Sequence, residues 1–500
     1  MMHERGKSDI AIVAVKPANK AEQSATELVE PRAVTKGNVD QRHTCRTQGR
    51  AAAKTAQVCV SQELGHIRRV AKVRRKEKFT ALLHHVNVDL LEEAFSQVRE
   101  DAAPGMDGVT WKEYEQNLES NLKDLHARIH RGTYRALPAR RVYIPKPDGR
   151  RRPLAIAALE DKIVQRAVVA VLNEIYEEDF LGFSYGFRPG RGAHDAMDAL
   201  VVGIESKKVN WILDADIQSF FDEISREKLV LFLERRIGDR RIIRLIQKWL
   251  RVGVLEDGVV QTGEKGTGQG AVISPLLANV YLHYVLDLWA DGWRQQKATG
   301  DMIFVRYADD FIVGFQHETD ARRFLDELRL QLAECALTLH PEKTRLIEFG
   351  RFAAKNRKDR GLGKPETFNF LGFTFISGKS RDGKKFLVKR KTRRDRMQAK
   401  LTMISQELRR RMHQPIPTLG KWLGRVVRGY FNYFAVPTNN RALVRFRDEV
   451  TMRWLRVLRR RSQRTSLVWD QMVKLADAWL PQPRICHPWP RQRFCVRHPR

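Results

Sequence analysis

The chain has 500 residues, with 91 Lys and Arg against 59 Asp and Glu, a formal net charge of +32 and a pI near 10.2. This excess indicates a polyanionic partner, and a mean hydropathy of −0.46 without any run of ~20 apolar residues argues against a membrane. Five cysteines do not suggest a disulfide framework, so we expect a cytoplasmic protein with no membrane partner.

The first elements in chain order are a tail, a helix and a charged hairpin. Residues 1–78 are polar, basic and aperiodic, and predict a mostly disordered tail. A helix near residues 88–99 opens the folded part, and Thr110 follows a Pro/Gly turn as a helix N-cap. Residues 142–154 predict a hairpin with a Pro-Asp-Gly turn and a cationic tip, which in general is a solvated surface.

An apolar strand over residues 211–213 is followed by three acids, Asp214, Asp216 and Asp222. Asp214 and Asp216 are two residues apart and share a strand face. The strand pattern alone therefore does not tell which of the two carboxylates belongs to a metal site. Asp222 is explained by the preference for acids in the first turn of a helix.

The next chemical signal is a glycine-rich loop over residues 266–279 that runs into a helix. Its glycines permit close backbone approach to a substrate, and the helix N-terminus favours phosphate.

Two adjacent carboxylates, Asp309 and Asp310, lie between short apolar runs within residues 304–315. The runs predict strands, and Tyr-Ala-Asp-Asp predicts the tight turn of a hairpin. At a turn both carboxylates can approach one point, where they repel unless a cation neutralises them. Oxygen ligands favour Mg²⁺ or Mn²⁺ over Zn²⁺. The alternative is a hairpin whose turn holds two Asp by chance.

The C-terminal part, from about Thr392, is helical and basic. Arginines surround apolar residues at helical spacing, which predicts a buried core with a phosphate-binding face. The arginines expected to bind RNA there are Arg425, Arg428, Arg453, Arg459, Arg460 and Arg461. Cys486, His487, Cys495 and His498 offer zinc ligands without the close Cys spacing of zinc ribbons, so a proline-rich basic tail is preferred.

Taken together, the Asp-Ile-x-x-Phe-Phe-Asp and Tyr-Ala-Asp-Asp motifs resemble the first and third palm motifs of bacterial group II intron-encoded reverse transcriptases. The resemblance covers roughly residues 79–465, with its motifs in the expected order. It implies that Asp216, Asp309 and Asp310 are the catalytic, metal-binding carboxylates and that Lys343 is the general acid for pyrophosphate. The residues that it places elsewhere are Lys146, Arg152, Phe221, Gln269 and Gly270 at the dNTP, Phe370, Leu371, Gly372 and Phe373 at the primer terminus, and Arg188 near template RNA.

The implied fold is α+β, a right-hand polymerase with fingers and palm around an antiparallel sheet, followed by an α-helical thumb or maturase domain. The expected divisions are a tail over 1–78, fingers and palm over 79–376, the thumb over 377–465 and a basic C-terminal tail over 466–500. Many family members continue into a His-Asn-His endonuclease, which we do not expect in this chain.

The implied function is an RNA-directed DNA polymerase that also binds its parent group II intron RNA, assists splicing and supports intron mobility. The implied cofactor is a pair of Mg²⁺ ions, with Mn²⁺ as a substitute. The implied partners are intron RNA, an RNA template with a DNA primer, dNTPs and target DNA. Two alternatives stay open: a related reverse transcriptase used in defence or diversification, and a splicing factor without polymerase activity.

Overall fold

A computed structural model describes residues 62–145, 151–256, 259–261, 265–268, 270–380, 382–461 and 467–497, apart from the side chains of Pro145, Arg152, Val259 and Arg497. The helices of these ranges are α1 (residues 62–73), α2 (Val88–Ser96), α3 (Trp111–Glu115), α4 (Leu118–Arg131), α5 (Leu159–Asp179), α6 (Ala193–Ser206), α7 (Phe220–Glu223), α8 (Arg226–Glu234), α9 (Arg240–Arg251), α10 (Ser274–Leu282), α11 (Leu288–Gln296), α12 (Glu318–Ala333), α13 (Ala353–Asp359), α14 (Arg394–Arg410), α15 (Ile416–Phe434), α16 (Asn440–Arg459), α17 (Trp469–Trp479) and α18 (Pro490–Arg497). A 3₁₀ turn (Leu83–His85) precedes α2, and a π-helical turn (His283–Asp287) joins α10 to α11.

The strands of the same ranges are β1 (Ala139–Pro145), β2 (Arg151–Ile156), β3 (Trp211–Asp216), β4 (Val254–Glu256), β5 (Val259–Gln261), β6 (Met302–Tyr307), β7 (Asp310–Phe315), β8 (Arg345–Glu348), β9 (Thr367–Phe370), β10 (Phe373–Lys379) and β11 (Phe386–Thr392). They form three sheets. The fingers sheet has the order β2-β1-β4-β5, the palm sheet β6-β7-β3-β8, and a smaller sheet β11-β10-β9. The palm sheet is antiparallel throughout, as predicted.

Both faces of the palm sheet are buried, because residues that alternate along its strands enter two different cores. Leu213 on β3 belongs to a core shared with α5, α8, α9 and α10. Its neighbour Ile212 belongs to the core under α6 and the smaller sheet. A third core lies among the helices α14 to α17. The fold class is therefore the predicted one, an α+β polymerase fold followed by a helical domain.

Local sequence explains where several elements begin. Thr110 caps α3 as predicted, since its hydroxyl accepts from the backbone of Glu113 and the Glu113 carboxylate returns to the backbone of Thr110. Asn87 caps α2 through its side-chain oxygen, which accepts from the backbone N–H of Leu90. Gly132 ends α4 in the left-handed conformation. In the part of the chain that the structure describes, no helix is long and apolar enough to cross a membrane.

Two of the predicted boundaries are wrong at the ends of the chain. The folded part begins by residue 62 rather than 79, because Ile67 and Ala71 of α1 are buried. Residues 466–500 are not simply a tail, because α17 and α18 fold onto the domain. The ring of Trp479 lies so close to Gly420 that a Cβ there would meet it at 2.5 Å. Arg493 of α18 pairs with Asp198 at 3.2 Å, which ties the C-terminal segment to α6.

The predicted boundary at residues 376 and 377 is also displaced. It falls inside β10, and β10 pairs with β11 along its whole length, from Phe373 opposite Thr392 to Lys379 opposite Phe386. A hairpin folds as a unit through these backbone hydrogen bonds. The helical domain therefore begins with α14 at Arg394. Residues 1–61 of the predicted tail lie outside the described residues.

Candidate active site

The hairpin of β6 and β7 forms as predicted. Tyr307 pairs with Asp310, which leaves Ala308 and Asp309 as a two-residue turn. Ala308 has a φ of 58°, the left-handed region that a primed hairpin turn requires and that residues other than glycine rarely adopt. Such a conformation persists only where the surroundings hold it. The turn therefore needs external support, and it directs two carboxylates to one end of the palm sheet.

A neighbouring strand brings the third predicted carboxylate to the same place. On β3, Asp216 pairs directly with Asp310 of β7, and Asp214 pairs with Ile312. Since residues two apart share a strand face, Asp214, Asp216 and Asp310 lie on one face of the sheet. The structure thus brings Asp216, Asp309 and Asp310 together. It also places Asp214 beside them, a residue that the strand pattern did not distinguish from Asp216.

The electrostatics of this cluster follow from burial and like charge. Burial raises the pKa of Asp310 well above its usual range, and the nearby carboxylates of Asp214, Asp216 and Asp309 raise it further. Burial also raises the pKa of Asp214 to about 6, although the guanidinium of Arg345, 3.6 Å away, opposes that rise. The cluster is therefore short of positive charge at neutral pH.

Lys343 supplies part of that charge. Its ammonium group forms a hydrogen-bonded ion pair with the carboxylate of Asp216. The segment that carries Lys343 is fixed beside β3, because the backbone N–H of His340 donates to the carbonyl of Asp216 at 2.8 Å. The Lys343 side chain remains 55% exposed, so it can move when another cation arrives. The structure thus brings Lys343 to the carboxylates, and its role as general acid stays a prediction.

The donor set fits a divalent cation chemically. Carboxylate oxygens are the ligands of hard cations, and a cation beside them would relieve the repulsion that raises the pKa of Asp310. Within the described ranges, no group of three or more His, Cys, Asp or Glu side chains is already arranged around a metal position. Binding would therefore require the Lys343 ammonium to leave Asp216 and the carboxylates to close in.

The predicted nucleotide pocket is built by contacts between three segments. The carbonyl of Phe221, which is half-buried, accepts from the backbone N–H of Thr267 at 2.9 Å. A Cβ on Gly266 would meet that carbonyl at 3.0 Å, and a Cβ on Gly270 would meet the carbonyl of Ala155 on β2 at 2.6 Å. The glycines are therefore required by close backbone approach. Phe221 and the fingers hairpin both contact the glycine-rich loop, and the role of this region as a nucleotide pocket stays a prediction.

Three residues predicted to contact the nucleotide have side chains outside the described part of the structure. Lys146 and Gln269 lie outside the described residues. Arg152 is on β2, opposite Ile144 of β1, but its side chain is not described. The backbone pairing of β1 with β2 agrees with the predicted hairpin over residues 142–154. The roles of these side chains stay predictions.

The predicted primer hairpin forms, with Leu371 and Gly372 as its turn between β9 and β10. Both turn residues have positive φ, 46° and 81°, as a two-residue hairpin of the I′ type requires. Phe370 and Phe373 are fully buried in the core under α6, so their rings do not face a primer. Any primer contact falls to the turn, whose Leu371 carbonyl accepts from the hydroxyl of Tyr433.

Arg188 does not lie where the resemblance implied. It is 4% exposed, and its guanidinium pairs with Glu177 at 2.9 Å. The same guanidinium donates to the backbone carbonyls of Leu181 and Ser184 at 2.8 Å. A side chain engaged and buried to this extent is a structural element of the fold. The assignment of Arg188 to RNA binding is therefore wrong.

The thumb arginines divide into two groups. Arg425 and Arg428 on α15 are exposed, and Arg459 and Arg460 at the end of α16 are exposed as well, although Nε of Arg459 donates to the carbonyl of Leu467 at 2.8 Å. The remaining two are only partly exposed and have local partners: Arg453 forms an ion pair with Glu449, and Arg461 donates to the carbonyl of Gln414 at 2.8 Å. The exposed group can reach phosphate, whereas Arg453 and Arg461 are partly engaged within the domain.

The C-terminal Cys and His residues do not assemble a metal site among the described residues. Cys486 and Cys495 are exposed free thiols. His487 uses both ring nitrogens on the protein: Nε2 donates to the carbonyl of Asn432 at 2.7 Å, and Nδ1 accepts from Arg493 at 2.8 Å. The ring therefore anchors the segment before α18. His498 lies outside the described residues.

Comparison with known proteins agrees with this geometry. Residues 144–375 match the family of reverse transcriptases, described as RNA-dependent DNA polymerases. Protein YkfC of Escherichia coli is 33% identical over 315 residues, which cover 56% of this chain and 77% of that protein. The group II intron-encoded protein LtrA of Lactococcus lactis is 34% identical over 209 residues, 41% of this chain and 35% of that protein. The mitochondrial nuclear intron maturase 3 of Arabidopsis thaliana is 28% identical over 32% of this chain and 25% of that protein.

The match and the site define the class: this chain belongs to the reverse transcriptases, which are RNA-directed DNA polymerases. Within that class it belongs with the group II intron-encoded reverse transcriptases and maturases, so the predicted family is confirmed. Membership implies nucleic-acid partners and a divalent metal ion. The matched segment of LtrA spans about a third of its length, so the properties of such a whole protein are proposals for this chain.

Proposed function

We propose that this chain copies RNA into DNA on primers annealed to an RNA template, and that it binds its parent group II intron RNA to assist splicing and intron mobility. The observation that carries the proposal is the convergence of Asp216, Asp309 and Asp310 at one end of the palm sheet, with Lys343 beside them. Substrates are then dNTPs, and the mobility step requires target DNA.

The palm carboxylates have different roles in nucleotide addition. Asp216, Asp309 and Asp310 would hold the metal, which we propose to be a pair of Mg²⁺ ions with Mn²⁺ as a substitute. When bound, the metal would stabilise the negative charge that develops on the attacking and leaving oxygens. The carboxylates themselves fix that charge in space, since β3 and β7 hold them in one register. Asp214 lies next to them and tunes their charge.

Lys343 acts at the leaving group. Its ammonium group is already beside Asp216, on a segment bonded to the end of β3. Because Lys343 is more than half exposed, it can turn from Asp216 toward a bound triphosphate. There it would donate its Nζ proton to the departing pyrophosphate oxygen. Lys146 and Arg152 of the fingers hairpin are assigned to the triphosphate charge.

The sugar and base of the incoming nucleotide are assigned to Phe221 and the glycine-rich loop. Phe221 is half-buried, and the backbone of residues 221 and 222 packs on Gly266. A bulky ring fixed below the ribose excludes a 2′-hydroxyl by volume. Gln269 and Gly270 would line the other side of this pocket, and the close approach of Gly270 to Ala155 supports the placement of Gly270.

The maturase activity is assigned to the exposed thumb arginines, Arg425, Arg428, Arg459 and Arg460. RNA duplexes are recognised mostly by shape and phosphate contacts, which suits a helical surface with exposed arginines. The net charge of +32 supports affinity for a large polyanion. The chemistry of splicing stays with the intron RNA.

The direct test is primer extension with purified protein on an RNA template, with all four dNTPs and a DNA primer. We expect DNA synthesis that needs Mg²⁺ or Mn²⁺ and stops in EDTA. A parallel assay measures splicing of the parent intron RNA with and without protein at low Mg²⁺. Absence of extension under every divalent ion, with splicing assistance intact, would leave a splicing factor without polymerase activity as the correct function.

A further inference from the structure

Arg306 lies one residue before the catalytic motif, on the face of β6 opposite to the carboxylates. Its side chain is fully buried, and its guanidinium makes five hydrogen bonds, which is the full donor capacity of the group. Two of these bonds go to the carboxylate of Asp287, at 2.7 and 2.5 Å, and Asp287 is also fully buried. A buried charge is tolerated only when it is paired and hydrogen-bonded in this way.

The other three bonds of Arg306 connect it to the catalytic turn and its surroundings. One N–H donates to the carbonyl of Ala308 at 3.0 Å, one to Oδ1 of Asn279 at 3.0 Å and one to the hydroxyl of Ser184 at 2.7 Å. Ala308 is the residue with a φ of 58° that precedes Asp309. The guanidinium therefore holds the strained turn by its carbonyl, from behind the sheet.

The segment before α6 contacts the turn at Ala308 from a second side. The side-chain amide of Asn279 donates to the carbonyl of Gly186 at 2.7 Å. A Cβ on Gly186 would meet the backbone nitrogen of Ala308 at 2.3 Å, so the two backbones are in direct contact. Ser184 and Tyr185 form a backbone bridge with Arg306. The turn is thus enclosed by the segment before α6.

Two of the side chains that bind Arg306, those of Asn279 and Asp287, come from one helical unit. Asn279 is on α10, which begins where the glycine-rich loop ends, and Asp287 closes the π-helical turn that joins α10 to α11. Gln165 of α5 fixes the start of α10, because its side-chain oxygen accepts from the backbone N–H groups of Val272 and Ile273. One element therefore connects the nucleotide loop with the catalytic turn.

We propose that Arg306, held by Asp287 and Asn279, is a positioning residue for the polymerase reaction: it fixes the left-handed turn that places Asp309 and Asp310 and couples that turn to the nucleotide loop through α10. This inference rests on the proposed polymerase function. It predicts a defect in the chemical step rather than in substrate binding, since a displacement of about 1 Å in a reacting group can cost roughly a hundredfold in rate.

The test uses full-length variants in the primer-extension assay. Asp287→Asn weakens the pair and should lower kcat about a hundredfold, with KM for dNTP and Kd for primer-template within about threefold of wild type. The Mg²⁺ concentration for half-maximal rate should rise, because the carboxylates are no longer held together. The matched control is Asp198→Asn, at another buried pair, Arg390–Asp198 with 2.7 Å between partners. That variant should keep kcat within about threefold even where its melting temperature falls comparably.

A double variant separates positioning from folding. Arg306→Met with Asp287→Leu replaces the buried pair by apolar side chains, which in other proteins is often neutral or stabilising. We expect a folded protein whose kcat is still about a hundredfold low, because the Ala308 carbonyl has lost its donor. Ser184→Ala, which removes one of the five bonds, should lower kcat several-fold at unchanged melting temperature.

The outcomes are distinguishable. If the double variant folds and has a wild-type kcat, the inference is wrong and Arg306 is structural only. If the double variant does not fold, a wild-type kcat in Ser184→Ala refutes the inference in its place. An equal loss of kcat in Asp198→Asn and Asp287→Asn also overturns it. Failure of the wild-type protein to extend any primer would instead refute the proposed polymerase function.

Discussion

The palm and the thumb use charged side chains in opposite ways. The palm contains two buried ion pairs: the side chains of Arg306 with Asp287 and of Arg188 with Glu177 are each at most 8% exposed. On the thumb, Arg425 and Arg428 are exposed on a helix whose other face is core. A buried ion pair fixes one local geometry, whereas each exposed arginine adds its own contribution to the affinity for a polyanion. The palm should therefore fail abruptly when single residues change, and the thumb gradually.

The largest expected effect comes from Asp309→Ala with Asp310→Ala. DNA synthesis should fall by about a thousandfold or more, since the metal scaffold contributes several kcal/mol to charge stabilisation. Because both carboxylates belong to a repulsive cluster, the fold should survive, and protein-assisted splicing should continue near the wild-type rate. Extension and splicing assays on one preparation, with circular dichroism, measure all three properties.

A control with the same charge change is Asp101→Ala with Asp326→Ala, since both carboxylates are 71% exposed. It should retain both activities. Loss of splicing together with synthesis in the folded Asp309/Asp310 variant would show that palm chemistry and RNA binding are not separable, and the contrast between palm and thumb would not hold.

The thumb should respond in proportion to the charges removed. Arg425→Gln with Arg428→Gln should weaken binding to structured RNA and reduce the slope of log Kd against log salt by about 1.5 units, or about 0.7 to 0.9 for each lost phosphate contact. Extension of a short preannealed primer should change less than splicing. Filter binding between roughly 50 and 200 mM salt measures the slope.

Two thumb arginines with internal partners provide the matched comparison. Arg447 pairs with Asp477 at 2.7 Å, and Arg453 pairs with Glu449. Arg447→Gln with Arg453→Gln removes the same charge, yet the salt slope should change by less than about 0.5 because these groups are engaged within the protein. Equal slopes for the two double variants would mean that exposure does not decide which arginines bind RNA.

A smaller effect is expected at the nucleotide pocket. Phe221→Val should relax rejection of ribonucleotides by about tenfold or more, because a shortened side chain opens room for a 2′-hydroxyl. The measurement is the ratio of kcat/KM for dNTP and rNTP on one primed template. Phe220→Leu is the control, since Phe220 is buried beside Phe221 and should preserve the ratio. An unchanged ratio in Phe221→Val would remove it from the sugar site.

The smallest effect concerns stability against pH in EDTA. The pKa of Asp214 is about 6 in the fold, above its ordinary 3.8, so the folded state binds its proton more tightly than the unfolded state. The stability that Asp214 contributes is then fully present below pH 4 and is lost as pH rises through about 6. Asp214→Asn should gain a few degrees in melting temperature over wild type between pH 4.5 and 7, on the order of 1–3 kcal/mol. If the difference in melting temperature between Asp214→Asn and wild type does not change with pH, the raised pKa is contradicted. Asp101→Asn is the control and should show no such gain.

The catalytic hairpin was predictable from sequence because its signals are local. Apolar runs on either side of Tyr307 and Asp310 have strand character, and a two-residue turn between them is what short hairpins adopt. The alignment of Asp216 with Asp310 required the resemblance, since pairing between distant strands has no local signal. Asp214 lies on the same strand face as Asp216, so the alternation of side chains along a strand correctly kept both residues as candidates.

Arg188 was misassigned for a physical reason, whereas Arg306 and α17 were missed although the sequence carried a signal for each. An arginine in sequence has the same charge whether it is buried or exposed, so Arg188 was assigned to RNA although Glu177 holds it inside. For Arg306 a signal existed, because it lies in a strand that is buried on both faces and must therefore be paired. The helix α17 had a signal too: Trp469, Met472, Ala476 and Trp479 recur at helical spacing.

The π-helical turn between α10 and α11 also affects where this chain can vary in length. Such a turn holds one residue more than a regular α-helical turn, so a deletion within His283–Asp287 can be absorbed by conversion to regular α-helix. A deletion within α10 instead rotates the residues beyond it by about 100° relative to those before it, which turns Asp287 away from Arg306. In a library of single-residue deletions, α10 should therefore be as intolerant as the catalytic motif, and the π-helical turn less so.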